Sequence, residues 1–292
     1  MTKFKENYYL GLSAEGFHRL CYREWGRKTA RHTVVCVHGL TRIGRDFDPL
    51  AAELSKQYRV ICPDVVGRGK SDWLKDHRNY NFLQYCADMN ALLARLEVEE
   101  VHWVGTSMGG LIGLMLSAVE GTPVRSLVLN DVGPELRHSE LLRLGSYVGR
   151  TTAFDDFESL TDYYSSTYSG FGDLTRKQWE EMATYSSVER DGQYHLHYDP
   201  KLGDAFRSSY SFMHFNLWKY WNTIKCPTLT FRGERSSFLT PVTVRKMKER
   251  GPGTECIEVP NVGHAPMLNS KSEIQSIKNF IAAAIKKSEL AA

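Results

Sequence analysis

Several features are scarce in this sequence, and each scarcity argues against a class of protein. No apolar stretch approaches the roughly 20 residues that a membrane-spanning helix requires. The N-terminal stretch MTKFKENYYLGL lacks the apolar core of a secretion signal. An excess of charge is missing too, since 37 Lys and Arg residues face 34 Asp and Glu residues, for a net charge of +3. The sequence therefore predicts no membrane partner and no nucleic-acid partner.

The six cysteines lack the paired spacing of a metal site. None stands in a Cys-x-x-Cys pair, so the sequence predicts no structural zinc and no bound metal. Four of them lie in or beside apolar runs, where a cysteine behaves as a small hydrophobic residue; these are Cys36, Cys62, Cys226 and Cys256. Reduced thiols together with the absence of an export signal predict a cytoplasmic location.

Short apolar runs alternate with helical patterns along most of the chain. The runs are rich in β-branched residues and almost continuously apolar, as strands buried on both faces of a parallel sheet are. The alternation predicts an α/β fold with a mostly parallel central sheet flanked by helices. An early segment, FHRLCYREW, is interpreted as an antiparallel edge strand. The strand candidates are HTVVCVH (32–38), YRVICPD (58–64), VHWVG (101–105), VRSLVLND (124–131), CPTLTFRG (226–233) and TECIEVP (254–260).

The alternation stops between residues 135 and 222. This stretch has helical and loop-like patterns with no strong strand, and it holds just over half of the aromatic residues of the chain. We expect an inserted helical cap over the carboxyl ends of the strands, where α/β folds bind ligands. The predicted division is a core of 1–134 with 223–292 and a cap of 135–222. A plain helical subdomain that uses its aromatics as its own core is the alternative.

The pentapeptide Gly105-Thr106-Ser107-Met108-Gly109 follows a strand candidate and precedes an apolar helical run. This G-x-S-x-G pattern in this context is typical of a sharp strand-to-helix turn that exposes a serine. The glycines let strand and helix approach closely, and the helix N-terminus favours a developing negative charge. Ser107 is therefore the candidate nucleophile.

A nucleophilic serine needs a base and an oxyanion hole. His264 lies on a loop after the last strand candidate, from which it can reach over the sheet to the serine, and it is the candidate base. The backbone N–H of Met108, directly after the nucleophile, is one candidate oxyanion donor. The N–H of Leu40, on the loop after an early strand, is the other. His38, in the same loop, is interpreted as shaping the loop rather than titrating.

Five motifs in order make the chain resemble the α/β-hydrolase fold family. Together they cover nearly the whole sequence, and the resemblance implies an α/β-hydrolase fold that works without a cofactor. The stretch NDVGPEL resembles a bacterial subgroup described only as hydrolases. The motifs are HGLTR (38–42), PDVVGRGKSD (63–72), GTSMGG (105–110), NDVGPEL (130–136) and VPNVGHAP (259–266).

The acid that completes a serine–histidine triad is missing where the resemblance places it. The usual aspartate position, after the penultimate strand, holds Ser237, which carries no charge to stabilise an imidazolium. Asp131, at the end of VRSLVLND, can reach the same histidine from the neighbouring strand and is the favoured substitute. Glu234 is a second candidate acid. A serine–histidine dyad and an engineered loss of the aspartate stay open.

These residues predict a serine hydrolase that cleaves a small apolar or aromatic carboxylic ester through an acyl-enzyme. A small-molecule substrate is the expected partner, and a homodimer is left open. One alternative is a C–C bond hydrolase of a ring-cleavage or β-diketone type, which basic cap residues in the pocket would favour; the candidates are Arg150, Arg190 and Arg207. The other alternative is a ligand receptor with a vestigial triad. The missing acid at Ser237 is the feature that favours it.

Overall fold

A computed structural model describes residues 4–150, 153–210 and 215–291. Its strands, in chain order, are β1 (Lys5–Ser13), β2 (Gly16–Trp25), β3 (Thr33–Val37), β4 (Arg59–Pro63), β5 (Val101–Thr106), β6 (Val124–Asn130), β7 (Ala153–Phe154), β8 (Ser187–Arg190), β9 (Gln193–Leu196), β10 (Thr228–Gly233) and β11 (Glu255–Val259). In this part of the chain, eight strands form one sheet in the order β1-β2-β4-β3-β5-β6-β10-β11.

The large sheet is mostly parallel, which confirms the predicted fold class. β2 pairs antiparallel with β1 and with β4, whereas the remaining neighbours pair in parallel. The segment FHRLCYREW forms β2. The expectation that it is the edge strand was wrong, because β1 pairs with its outer side and forms the edge of the sheet. β1 escapes notice in the sequence because its outward side chains stay in solvent, as Leu10 does at 61% exposure, so it lacks the continuous apolar pattern of a buried strand.

Helices cover both faces of this sheet. The α-helices of the described part of the chain are, in order, α1 (Asp48–Leu54), α2 (Phe82–Leu96), α3 (Met108–Ser117), α4 (His138–Tyr147), α5 (Phe157–Thr167), α6 (Arg176–Tyr185), α7 (Lys201–Ala205), α8 (Trp218–Trp221), α9 (Pro241–Glu249) and α10 (Lys271–Ala291). In β3, Val34 and Cys36 pack in a cluster with residues of α1 and α10, whereas Val35 and Val37 pack in a cluster with residues of α2 and α3. Burial of alternate residues against two helix layers explains why this strand is apolar throughout.

The segment between β6 and β10 contains helices α4 to α8 and a small antiparallel sheet in the order β7-β9-β8. The sequence predicted no strong strand there, and it did not predict this small sheet. The strands have two to four residues. A turn at Asp191-Gly192 joins β8 to β9, and both turn residues have positive φ, 53° and 77°. A two-residue Asp-Gly turn of this kind is a hairpin signal that the sequence did contain. The division into core and cap at residues 135 and 222 remains a proposal.

Among the helices of the described ranges, none has both the length and the apolar content that a membrane-spanning helix requires.

Candidate active site

Ser107 occupies the turn between β5 and α3. Its backbone has φ 51° and ψ −114°, a positive φ that residues other than glycine rarely adopt. A Cβ at Gly105 would lie 2.3 Å from the carbonyl oxygen of Gly109, and a Cβ at Gly109 would lie 2.0 Å from that of Val37. Only glycine therefore fits at both positions. This crowding explains the G-x-S-x-G spacing in steric terms and lifts the serine to the carboxyl end of the sheet.

The imidazole of His264 joins Ser107 to Asp131. Its Nδ1 lies 2.7 Å from Asp131 Oδ2, and its Nε2 lies 2.9 Å from Ser107 Oγ. A carboxylate accepts hydrogen bonds, so the ring proton belongs on Nδ1, and the Nε2 lone pair then faces the serine hydroxyl. The structure thus brings three sequence-predicted residues from three separate loops into one hydrogen-bonded chain.

The Asp131 carboxylate is fully buried and has donors on several sides. Oδ1 accepts a hydrogen bond of 2.9 Å from the backbone N–H of Gly233. Oδ2 accepts the bond from His264 and another, 2.5 Å long, from the hydroxyl of Ser236. Ser236 comes from the loop after β10, beside the position at which the sequence pattern leads one to expect the acid. Sequence reasoning passed over Ser236, because no pattern in a single sequence shows which of two adjacent serines turns inward.

The two other candidate acid positions lie outside this chain of hydrogen bonds. Ser237 is exposed. Glu234 is also exposed, and its carboxylate accepts a hydrogen bond of 2.8 Å from the backbone N–H of Asn261. The geometry therefore favours Asp131 over both alternatives as the partner of His264.

The two expected oxyanion donors belong to residues near Ser107 in the cavity wall. Met108 is the first residue of α3, where backbone N–H groups have no carbonyl partner within the helix. Leu40 and Met108 line the same cavity as Ser107. The positive end of the α3 dipole also points to this part of the cavity, where it favours a negative charge.

His38 holds the peptide unit that contains the Leu40 N–H. Its Nδ1 lies 2.7 Å from the carbonyl oxygen of Gly39, and its Nε2 accepts a hydrogen bond of 3.0 Å from the backbone N–H of Val65. Burial lowers the pKa of His38 to about 4, so the ring is neutral at neutral pH. A neutral ring with Nδ1–H donating satisfies both contacts, and the Gly39 carbonyl then points away from the Leu40 N–H.

Arg68 binds the backbone of the same loop. No pattern in the sequence indicated this role. It is fully buried, and its Nε donates to the carbonyl oxygen of Leu40 at 2.8 Å. Its Nη1 donates to the carbonyl oxygen of Val66 at 2.6 Å, and its guanidinium carbon lies 4.9 Å from the ring centre of Tyr85. Backbone acceptors and an aromatic face thus stabilise this buried cation.

The ring of Phe238 stacks on the imidazole of His264. The ring centres are 3.9 Å apart and the planes differ by 18°. This contact and the hydrogen bond to Asp131 together restrict the orientation of the imidazole. Phe238 is 2% exposed and also forms part of the cavity wall.

An apolar cavity of about 550 Å³, counted with its open mouth, lies above Ser107. The core contributes Tyr85, Leu111 and Phe238 to its wall, and the segment between β6 and β10 contributes Leu141, Leu202 and Phe215. Residues of this segment thus line the same cavity as Ser107. Only a few polar atoms other than Ser107 Oγ face the cavity, so it suits an apolar group joined to a carbonyl.

The basic residues that would favour a carboxylate-bearing substrate lie elsewhere. Arg207 donates to the carbonyl oxygens of Gly145 and Val148. The guanidinium of Arg190 lies over the ring of Trp73, 5.9 Å from its centre. Arg150 is exposed at the end of the segment that follows α4. Among the described residues, these three arginines are not part of the cavity wall.

Comparison with known proteins gives concordant results. A family model described as alpha/beta hydrolase fold matches residues 32–270. The chain is 44% identical over 281 residues to a 3-hydroxybutyrate-oligomer hydrolase of Cupriavidus necator, covering 94% of this chain and 96% of that protein. It is 26% identical over 247 residues to a 2-(acetamidomethylene)succinate hydrolase of Mesorhizobium japonicum, covering 84% and 86%. The crystal structure of an alpha/beta hydrolase of Novosphingobium aromaticivorans superposes with a TM-score of 0.87 at 33% identity, covering 97% and 99%.

Proposed function

The chain belongs to the α/β-hydrolase fold family and is a hydrolase, and from this premise we propose that it cleaves carboxylic esters through an acyl-enzyme on Ser107. The observation that carries the proposal is the continuous chain of hydrogen bonds from Ser107 through His264 to Asp131. Nucleophile, base and orienting acid stand in the order that acyl transfer requires.

In the first half of the proposed reaction, Ser107 Oγ attacks the ester carbonyl carbon while His264 Nε2 takes the hydroxyl proton. The negative charge moves to the carbonyl oxygen, between the N–H groups of Leu40 and Met108. Collapse of this intermediate breaks the bond to the alkoxy oxygen, and His264 returns the proton to the leaving alcohol. Asp131 holds the imidazole in place and stabilises its positive form throughout.

In the second half, water replaces the alcohol. His264 Nε2 takes a proton from the water as its oxygen attacks the acyl carbon, and the same two N–H groups hold the new oxyanion. The ester bond to Ser107 then breaks, and the proton on His264 passes to Ser107 Oγ. The carboxylic acid leaves, and the enzyme returns to its starting state without any other reactant.

The substrate that we propose to test first is an oligoester of 3-hydroxybutyrate. The relative from Cupriavidus necator bears the name of a hydrolase of such oligomers and matches over almost the whole of both chains. The apolar cavity wall suits the methyl-bearing acyl unit, whereas the terminal carboxylate of an oligomer would stay in water at the mouth. The C–C hydrolase alternative has no comparable support, since the three candidate arginines lie away from the cavity.

All six cysteines are unpaired, which suits a reducing compartment, so we propose the cytoplasm. We propose that the site binds a small-molecule substrate. A measurement of the molar mass in solution tests whether the protein is a homodimer.

The test compares the parent with three variants on p-nitrophenyl butyrate and on the 3-hydroxybutyrate dimer and trimer. Ser107→Ala and Asp131→Asn should each lower kcat by on the order of 10³-fold or more, because each removes part of one catalytic unit. Ser237→Asp is the matched control and should leave kcat within about two-fold, since Ser237 is exposed. A parent that cleaves none of these esters and resists a fluorophosphonate would refute the proposal. Full activity in Asp131→Asn, or a kcat of Ser237→Asp well above that of the parent, would refute the assignment of Asp131.

A further inference from the structure

One turn of the inserted segment touches both loops that carry the reaction. The cap turn, Tyr168–Phe171, follows α5 and contains a short 3-10 helix, Ser169–Phe171. On one side it meets the loop that bears Leu40, the proposed oxyanion donor. On the other side it meets the loop that bears His264. These two contacts come from positions two residues apart in the sequence.

The contact with the oxyanion loop is a buried hydrogen bond. The hydroxyl groups of Tyr168 and Thr41 are 2.8 Å apart, and the two residues are 7% and 8% exposed. Thr41 directly follows Leu40, so a displacement of Thr41 moves the peptide that holds the donor. A buried hydroxyl that loses its partner costs free energy, which keeps this pair together.

The next residue of the loop strengthens the same contact. The guanidinium of Arg42 lies 5.0 Å from the ring centre of Tyr168 and 5.4 Å from that of Tyr164. Its Nη2 also donates to the hydroxyl of Ser186 at 3.0 Å, and both its Nε and Nη2 donate to the carboxylate of Asp46. A buried cation thus ties the oxyanion loop to the rings and the hydroxyl of the cap.

The contact with the histidine loop is between main chains. The backbone N–H of Gly263 donates to the carbonyl oxygen of Gly170 at 2.7 Å. A Cβ at Gly170 would lie 3.1 Å from the carbonyl oxygen of His264 and 3.2 Å from its backbone nitrogen. The two chains therefore meet so closely that a side chain at Gly170 would push directly on the residue that acts as base.

We propose that the cap turn positions the oxyanion loop and the histidine loop together, and that Tyr168 is a positioning residue which acts through Thr41 on the Leu40 donor. This inference rests on the proposed esterase mechanism. An oxyanion donor must lie about 2.7–3.1 Å from the oxyanion, and a 1 Å misplacement can cost about 10²-fold in rate. Turnover therefore requires the cap turn to be seated, whereas binding to the cavity does not.

Hydroxyl deletions on each side of the contact test the oxyanion arm. Tyr168→Phe keeps the ring and Thr41→Val keeps the shape, so each should lower kcat by about 10-fold with KM changed less than two-fold. The double variant should be no slower than either single variant, because both remove the same bond. Tyr164→Phe is the control, since its hydroxyl donates to the carbonyl oxygen of Ser186 within the cap. It should keep kcat within about two-fold.

A methyl group at the second contact tests the histidine arm. Gly170→Ala should lower kcat by about 10-fold or more, and Ser169→Ala, at the neighbouring exposed position, should leave kcat unchanged. The rate of each variant is expressed per serine that a fluorophosphonate labels to completion. A purely structural role would lower the number of labelled sites and leave the rate per site unchanged.

The outcomes separate this inference from the proposed function. A parent that neither turns over esters nor takes the label defeats the esterase assignment itself. A parent that is active, with kcat per site in Tyr168→Phe and Thr41→Val within two-fold of the parent, overturns the positioning role and leaves the esterase assignment standing. Losses that multiply in the double variant would also overturn it, because the two hydroxyl groups would then act separately.

Discussion

At the scale of single residues, the site depends on which of two adjacent serines faces inward. Ser236 donates to Asp131, whereas Ser237 is exposed. The loop after β10 thus contributes a donor to the acid, and the acid itself comes from the end of β6. Asp131 also has a positive φ of 54°, which turns the chain sharply after the strand and aims the carboxylate at His264.

This pair of serines provides a matched prediction. Ser236→Ala removes a hydrogen bond of 2.5 Å to a buried carboxylate, and bonds to charged groups are worth about 1.5–3 kcal/mol. We expect kcat to fall by about 10-fold, since the acid loses a fixed contact on the oxygen that holds the imidazole. Ser237→Ala should match the parent in steady-state kinetics on p-nitrophenyl butyrate. Equal rates in the two variants would show that Ser236 does not orient Asp131.

At the scale of elements, local signals set where α2 begins and ends. The side chain of Asn81 accepts a hydrogen bond of 3.0 Å from the backbone N–H of Gln84, and the helix ends at Glu97 with a left-handed φ of 56°. The buried face of α2 includes Tyr85, whose ring lines the cavity, and Leu92. The capping residue Asn81 therefore stabilises a helix that contributes both to the core and to one wall of the cavity.

The helix start gives a prediction about stability. Asn81→Ala removes the capping acceptor and should lower the free energy of unfolding by about 1 kcal/mol. Asn90→Ala, on the exposed face of the same helix, should be neutral or slightly stabilising because alanine has the higher helix propensity. Urea denaturation followed by tryptophan fluorescence measures both. Equal midpoints for the two variants would contradict a capping role for Asn81.

At the scale of the whole molecule, burial keeps two distant histidines neutral. His38 lies in the loop after β3, and His102 lies within β5, where its Nδ1 is 2.9 Å from the hydroxyl of Ser126. Burial lowers the pKa of each to about 4, against an ordinary value near 6.5. Between these two values the unfolded chain binds more protons than the folded chain, so stability rises with pH across that window.

The fold should therefore lose stability as the pH falls from about 6.5 to about 4. His102→Gln, which retains a polar partner for Ser126, should make this decline shallower by removing one of the two groups. His77→Gln changes a more exposed histidine and should leave the slope as in the parent. The measurement is the midpoint of urea denaturation of the parent and both variants at pH 7, 5.5 and 4.5. A slope in His102→Gln as steep as in the parent would mean that His102 is not a source of the acid sensitivity.

The sequence by itself determined the fold class and indicated Ser107 as the candidate nucleophile. Strands such as β3 are apolar at every position because helices cover both faces of the sheet, so their pattern is readable without coordinates. A Cβ at Gly105 would lie 2.3 Å from the carbonyl oxygen of Gly109 in the same turn, which makes that part of the signal local, whereas a Cβ at Gly109 would meet Val37 of β3. The edge strand β1 and the short hairpin β8–β9 were missed, because partly exposed strands have weak apolar patterns.

Only the tertiary structure decided how the parts of the site meet. The sequence favoured Asp131 over Glu234 as the acid and left a serine–histidine dyad open, because the distances to His264 depend on how β6 and β10 pair and on how two loops turn. The supporting contacts of Arg68 and Tyr168 join residues 28 and 127 positions apart. Such contacts leave no periodic trace in one chain, because they arise when separate elements pack and not from the order of residues within any of them.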